Sequence, residues 1–196
     1  MIHPHTEIQF INDEIGHGVV ATEFIPAGTI TWVLDKLDRE FTIDQFKQFD
    51  DLYKDVLNTY SYRNSKGNYI LCWDHGRFVN HSFKSNCLST AYDFEIAIRD
   101  IRRGEQLTDD YGYLNVDTPF RASEEGTKRK TVFPDDLKTF HKKWDKSIAA
   151  VFPQISKVEQ PLFAVIPQEM KNKIQAVHQG DEPLSSILEI YFNRNL

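Results

Sequence analysis

The feature that most constrains the fold of this chain is a change in the spacing of its apolar residues near Pro134. Before that point, short β-prone runs such as TEIQFI (6–11), NYILCW (68–73) and YDFEIAIRDI (92–101) alternate with turns rich in Gly, Pro or Asn. After it, apolar residues recur at intervals of three and four, which is typical of amphipathic helices. The sequence therefore predicts a β-rich body followed by a helical C-terminal extension.

The predicted body covers residues 1–120 and contains one inserted helix at about 42–58. The apolar positions of that helix are Ile43, Phe46, Phe49, Tyr53 and Leu57. A polar, turn-rich stretch at 121–133 predicts a linker, and the helical extension then covers 134–196. Its first amphipathic helix, about 135–151, is expected to dock on the body through Leu137, Phe140 and Trp144.

Composition and charge narrow the classes of function. The chain has 196 residues, of which 40% are hydrophobic and 27% charged, as in an ordinary soluble globular protein. Its net charge of −6 argues against direct nucleic-acid binding, which needs a basic face, and fits a basic partner better. No apolar run is long enough for a membrane span, and the N-terminus lacks signal-peptide character, so a cytoplasmic location is expected.

The chemistry-bearing side chains leave several alternatives open. The only two cysteines are Cys72 and Cys87, so neither a disulfide framework nor a four-cysteine metal site is expected. A metal site built from Cys72, Asp74, His75 and His81 would fit no common zinc spacing. A Cys-His hydrolase lacks support because neither thiol stands at a helix N-terminus or a nucleophile turn.

Short polar and glycine-containing motifs have ordinary structural interpretations when each is taken alone. The HPH cluster at 3–5 predicts a mobile end, and KRK at 128–130 predicts a solvated loop. GHG at 16–18 does not complete a dinucleotide-binding fingerprint, so by itself it indicates a β-turn. DDYGY at 109–113 places two tyrosines around a glycine, which alone favours aromatic core packing.

The order of the motifs changes this interpretation. The chain contains, in sequence, GHG (16–18), RFVNHS (77–82), NC (86–87) and IAIRDIRRGEQLTDDYGY (96–113). This order resembles a SET domain, the fold of most protein-lysine methyltransferases, and is similar to the small stand-alone SET proteins of bacteria. The resemblance covers residues 7 to about 120. It implies a β-clip fold whose C-terminal part threads under a preceding loop as a pseudoknot, so that residues 80–87 and 109–113 meet.

The resemblance also implies a methyl donor, S-adenosylmethionine, and the residues that bind it. Gly16, His17 and Gly18 would lie along the methionine end of the donor, where an absent Cβ permits close approach. The backbone of Asn80 and His81 would read the edge of the adenine.

The resemblance assigns the chemistry to tyrosines. Tyr111 is expected to be the catalytic tyrosine, with its hydroxyl near the transferring methyl group. Tyr113 would wall the lysine channel, and Tyr60 and Tyr62 are further candidates for this channel or for the donor pocket. The inserted segment, residues 42–68, is expected to influence the choice of substrate.

Departures from the family pattern concern metal binding and product specificity. Many SET domains have a Cys where this chain has Phe83, and three more after the Tyr-Gly step, where residues 121–130 contain none. In the family those four cysteines bind one zinc that closes the donor pocket, so no zinc is expected here. Phe120 is instead expected to lie against the adenine, with the extension holding this lid. Ser89 stands near the position that tunes the degree of methylation.

The resemblance implies an S-adenosylmethionine-dependent protein-lysine methyltransferase acting on a lysine-containing protein or basic peptide. Its rival is a catalytically silent module of the same fold that holds a basic peptide or the donor without turnover. Tyr111 together with Asn80 and His81 favours the enzyme.

Overall fold

The computed structural model describes residues 1–122 and 125–194. The strands are β1 (Thr6–Asn12), β2 (Gly16–Ala21), β3 (Ile30–Val33), β4 (Arg39–Phe41), β5 (Ser61–Arg63), β6 (Tyr69–Leu71), β7 (Asn80–His81), β8 (Cys87–Ser89), β9 (Phe94–Ala97), β10 (Thr108–Asp109), β11 (Phe120–Arg121) and β12 (Thr131–Val132). The helices are α1 (Ile43–Gln48), α2 (Asp51–Tyr60), α3 (Asp136–Val151) and α4 (Gln168–Gln179). This order confirms a β-rich body with a helical C-terminal part. Within the described ranges, no helix is both long and apolar enough to cross a membrane.

The body is assembled from small sheets. Strand β1 pairs with β2, β9 lies between β3 and β8, β6 lies between β4 and β5, and β11 pairs with β12, all antiparallel. The exception is β7, which runs parallel to β10, with Asn80 opposite Thr108 and His81 opposite Asp109. This parallel crossing brings the Asn-His motif beside the DDYGY motif, as expected.

The inserted segment forms two helices, so the expectation of one continuous helix at 42–58 was wrong. Helix α1 begins with a capping box between Thr42 and Gln45 and ends at Phe49, whose backbone is extended. Asp50 then precedes α2. The break lets the Phe49 ring pack edge-on against Phe41, with the ring centroids 5.5 Å apart.

The N-terminus is held by the body, so the expectation of a mobile end at 3–5 was also wrong. His3 is only 3% exposed, and its backbone N–H donates to the Thr31 carbonyl at 2.8 Å. Burial lowers the pKa of His3 to about 4, with a smaller contribution from His5. The imidazole therefore stays neutral at physiological pH and behaves as a core residue.

The helical extension shares its core with the β-sheets. Leu137, Trp144 and Ile148 of α3 are buried in one cluster with β9 residues such as Phe94, and Phe140 packs against its edge. The Trp144 ring meets Tyr113 edge-on, with the ring centroids 5.5 Å apart. The extension therefore docks on the body through the residues that its helical periodicity predicted.

We expect Trp144→Ala to lower the free energy of unfolding by about 3–5 kcal/mol, because it removes a buried aromatic ring and leaves a cavity. Lys143→Ala, which changes an exposed neighbour on the same helix, is the control. Urea unfolding followed by circular dichroism checks both variants. Equal stability of the two would show that the extension contributes little to the common core.

Candidate functional site

A cleft of about 670 Å³ lies between the inserted helices and the β7–β10 crossing. The residues that line it include Trp32, Leu57, Tyr60, Tyr62, Tyr69, Cys72, Val79, Glu95, Asp109, Tyr111, Leu114, Asn115, Asp117 and Phe120. Aromatic rings and two buried acidic residues thus form much of its wall. A pocket of this size with a few convergent polar groups is typical of a ligand site.

The GHG motif is joined to the Asn-His motif by a carboxamide. Asn80 Nδ2 donates to the His17 carbonyl at 3.0 Å and to Gln106 Oε1 at 3.1 Å. A Cβ on Gly18 would stand 2.6 Å from Asn80 Nδ2 and 2.5 Å from Gln106 Oε1, so a larger residue would displace these two side chains. Gly16 has a φ of +78°, which also favours glycine.

His81 connects the crossing to the DDYGY motif. Its Nδ1 accepts the Tyr111 backbone N–H at 3.1 Å, and burial lowers the pKa of the imidazole. The ring has Phe83 edge-on at 4.4 Å and Phe120 edge-on at 5.6 Å between centroids. Phe120 also lies 6.1 Å from the Tyr111 ring. His81, Tyr111 and Phe120, expected to share a site, are therefore neighbours.

The Tyr111 hydroxyl has a defined orientation. It donates to the Val79 carbonyl at 2.6 Å, which leaves its oxygen lone pairs available to a ligand. Burial raises the pKa of Tyr111, and the nearby Asp109 and Glu95 carboxyls raise it further. The phenol is therefore neutral at physiological pH and can accept a hydrogen bond, but cannot serve as a base.

The three candidates for the lysine channel lie in different places. Tyr60, half-exposed at the rim of the cleft, meets Phe78 edge-on at 5.5 Å between centroids. Tyr62 lines the cleft and meets Trp32 edge-on at 5.8 Å. Tyr113 is fully buried and lines a second cavity of about 290 Å³, which shares Tyr62 and Glu95 with the cleft.

The residues assigned to the methyl donor form a set that can hold an adenosyl group. A Cβ on Gly16 would meet nothing within 4 Å, whereas that position at Gly18 is covered by Asn80 and Gln106; the Phe120 ring is half-buried beside His81. His81 Nε2 is buried without an ordinary hydrogen-bond partner among the described residues. In the same part of the chain, no group of three His, Cys, Asp or Glu side chains is placed to hold a metal ion.

Arg129 is a structural residue that the sequence did not reveal, and the expectation of a solvated KRK loop was wrong for it. Its guanidinium pairs with Asp110 and Asp136, which joins the DDYGY motif to helix α3. It also lies over the rings of Phe83 and Phe140, 4.6 and 4.7 Å from their centroids. No local pattern indicates this role, because the partners come from three separate segments.

Glu125, in the segment that was predicted to be a linker, also bonds to the loop that contains Phe83. Its Oε2 accepts the Phe83 backbone N–H at 2.8 Å, and its carbonyl accepts the Lys84 ammonium at 2.6 Å. The chain after β11 is therefore fastened to the loop that follows the Asn-His motif.

The sequence also did not indicate that two acidic residues line the cleft. Glu95 and Asp109 are buried, and Ser89 Oγ donates to Glu95 Oε1 at 3.3 Å. Burial raises the pKa of Asp109 to about 6 and raises that of Glu95 well above its ordinary value. The signal in the sequence was a Glu inside the apolar strand FEIA (94–97), since such strands rarely bury an acid.

We expect Asp109→Asn to stabilise the protein at pH 8 by roughly 1–3 kcal/mol and to change its stability little at pH 4. The folded protein raises the pKa of this carboxyl from 3.8 to about 6. Its contribution to stability is therefore full below pH 4 and is lost as the pH rises through 6. Asn resembles the protonated acid and escapes that loss.

Urea unfolding at the two pH values measures this difference. Asp55→Asn, an exposed carboxylate on α2, is the matched control and should show no such dependence. Equal stability of wild type and Asp109→Asn at pH 8 would contradict the raised pKa.

Comparison with known proteins gives one family and a set of similar structures. Residues 16–112 match the SET domain family. Among the solved structures that match is a Plasmodium falciparum protein described as a proposed histone methyltransferase, at 17% identity and a TM-score of 0.41. That match covers 56% of this chain and 95% of the other. No curated protein sequence matches this chain.

Proposed function

Because residues 16–112 of this chain match the SET domain family, which supports a methyltransferase in general, we propose that it methylates the ε-amine of a lysine in a protein substrate. The methyl donor in this proposal is S-adenosylmethionine. The observation that carries it is that Tyr111 and Phe120 line the cleft together and both contact His81, where the parallel pairing of β7 and β10 joins their segments.

In the proposed reaction the bound donor supplies a methyl group on a positively charged sulfur. Gly16 and Gly18 would approach its amino-acid end, the Asn80–His81 backbone would face the adenine, and Phe120 would cover that ring. The Asn80 carboxamide keeps these two donor segments together through its bonds to His17 and Gln106.

The cleft would guide the lysine to the same place. The rings of Tyr60 and Tyr62 can receive an aliphatic stem that carries a cationic head. The Tyr111 oxygen can accept a weak hydrogen bond from the methyl group or the amine, because its own O–H donates a hydrogen bond to the Val79 carbonyl. Holding nitrogen, carbon and sulfur in line can contribute about 7–11 kcal/mol to catalysis in favourable cases.

We expect methyl-labelled S-adenosylmethionine to label lysines in a panel of Lys-rich proteins, and Tyr111→Phe to reduce that labelling by about 10²-fold or more. A contact made mainly in the transition state affects turnover more than binding. Mass spectrometry identifies the modified residues. Tyr53→Phe, which removes the hydroxyl of a tyrosine on α2 that is 62% exposed, is the control and should keep full activity.

Two results would redirect the proposal. Wild-type turnover by Tyr111→Phe would remove this tyrosine from the chemistry. Donor binding without labelling of any substrate in the panel would favour the rival, a silent module of the same fold.

We expect Phe120→Ala to weaken binding of S-adenosylmethionine and of its demethylated product by roughly 10-fold, since one ring–base stack is typically worth 1–3 kcal/mol. Titration calorimetry measures this affinity, with nicotinamide and flavin cofactors as ligands that should not bind. The control is Phe133→Ala, which removes an exposed ring. Unchanged donor affinity in Phe120→Ala would place the adenine elsewhere.

A further inference from the structure

Glu95 of β9 and Asp109 of β10, two strands of different sheets, bring two carboxyl groups to the wall of the cleft. We propose that this pair binds the ammonium group of the substrate and accepts one of its protons before methyl transfer. The inference rests on the proposed function and adds to it a base and a cation site.

The pair is placed where a ligand is needed to complete it. Glu95 is 9% exposed and Asp109 is 4% exposed, and both line the cleft. Among the residues that the structure describes, Asp109 Oδ1 makes no hydrogen bond of ordinary geometry, and its polar neighbours are the Tyr113 hydroxyl and the Glu95 carboxyl of the same cluster. In the same ranges neither carboxyl forms an ion pair with a Lys or Arg side chain. Such burial without a cation is costly, and an ammonium entering the cleft would relieve it.

The groups that surround the pair do not supply another base. The titratable and charged groups that act on it are Tyr62, Tyr111, Tyr113, Cys72, Cys87, Asp110 and the N-terminal ammonium. Burial is the largest cause that raises the pKa of each of these phenols and thiols, so they remain neutral. Asp110 is paired with Arg129, and the N-terminus pairs with Asp35 while drawing the pKa of Glu95 down slightly.

The protonation state of the pair suits this role. Two neighbouring carboxyls in a buried site do not both ionise readily, and they share a proton near neutrality. Burial raises the pKa of Asp109 to about 6, closer to neutrality than any of those phenols or thiols. A base is most effective when its pKa lies near the working pH. A free lysine, with a pKa of about 10.4, needs such an acceptor or a comparable loss of charge stabilisation.

The proposed step transfers one proton and then one methyl group. One N–H bond of the ammonium breaks, the proton forms an O–H bond on the ionised carboxyl, and nitrogen keeps the electron pair. That pair forms the N–CH₃ bond while the S–CH₃ bond breaks, and its electrons neutralise the sulfonium. The product leaves as a methylammonium ion, and the carboxyl pair returns its extra proton to solvent. The methyl donor in this step is the S-adenosylmethionine of the proposed function.

The kinetic test compares the pH dependence of kcat/KM in wild type, Asp109→Asn and Glu95→Gln between pH 6 and 10. We expect Asp109→Asn to lose about 10²- to 10⁴-fold at pH 7, the usual contribution of a general base. The deficit should shrink as the pH rises towards 10, because more substrate then arrives as the free amine. Asp181→Asn, at an exposed carboxylate beyond α4, is the control with the same change in charge and should follow wild type.

A merely structural role gives a different profile. A deficit of Asp109→Asn that stays constant across the pH range, or no deficit at all, would overturn the proposal. Calorimetric donor binding shows whether the variant keeps an intact site, and Glu95→Gln provides a second readout where Asp109→Asn is poorly folded.

A second measurement does not depend on turnover. In ¹³C-labelled protein, n-butylammonium should shift the side-chain carboxyl signals of Glu95 and Asp109 and lower their apparent pKa, whereas n-butanol should not. Asp109→Asn should lose this response. A wild-type protein that labels no lysine but responds to n-butylammonium would lack the proposed function and keep the cation site. Absence of the response in wild type would overturn the cation site itself.

Discussion

The parallel crossing of β7 and β10 is the constraint on which the site depends, and the buried side chain of Asn86 fastens it. Its Oδ1 accepts the Thr108 N–H at 2.8 Å, and its Nδ2 donates to the Gln106 carbonyl at 2.7 Å. The Asn86 backbone N–H also donates to Thr108 at 3.2 Å. A two-residue parallel pair has few ladder bonds of its own. The Asn86 carboxamide therefore supplies hydrogen bonds to the backbone that a further strand would otherwise make. These bonds add to those that Tyr111 donates to His81 and Val79, and together they fix Tyr111 relative to the Asn-His motif.

Closure of the site follows from charge and aromatic contact in a chain that lacks the cysteines of a zinc tail. Arg129 joins Asp110, beside Tyr111, to Asp136 at the start of α3, and its flat faces meet Phe83 and Phe140. A planar guanidinium can make both kinds of contact at once, which a lysine cannot. One side chain, Arg129, therefore connects the helical extension to the segment of the body that carries Tyr111.

The sequence predicted what depends on local pattern and on motif order. The change of period located the helical extension, and the order of motifs indicated that Asn80 and Tyr111 share a site although 31 positions separate them in the chain. It did not predict features that depend on distant partners: Arg129 between two acids, His3 under β3, or the break at Phe49. In each case the residue type is common on surfaces or in helices, and only a tertiary contact changes its role.

The acidic pair is where the energetics of the fold and of the site oppose each other. A neutral amide at Asp109 would fit the same backbone without the cost of a buried charge. The chain instead keeps two carboxyls beside three tyrosines whose hydroxyls cannot ionise at neutral pH. Groups that destabilise the folded state are expected mainly where a ligand needs them. In the proposed reaction both the methyl donor and the substrate ammonium are cationic, so a carboxylate at this wall would attract both and could accept a proton from the ammonium.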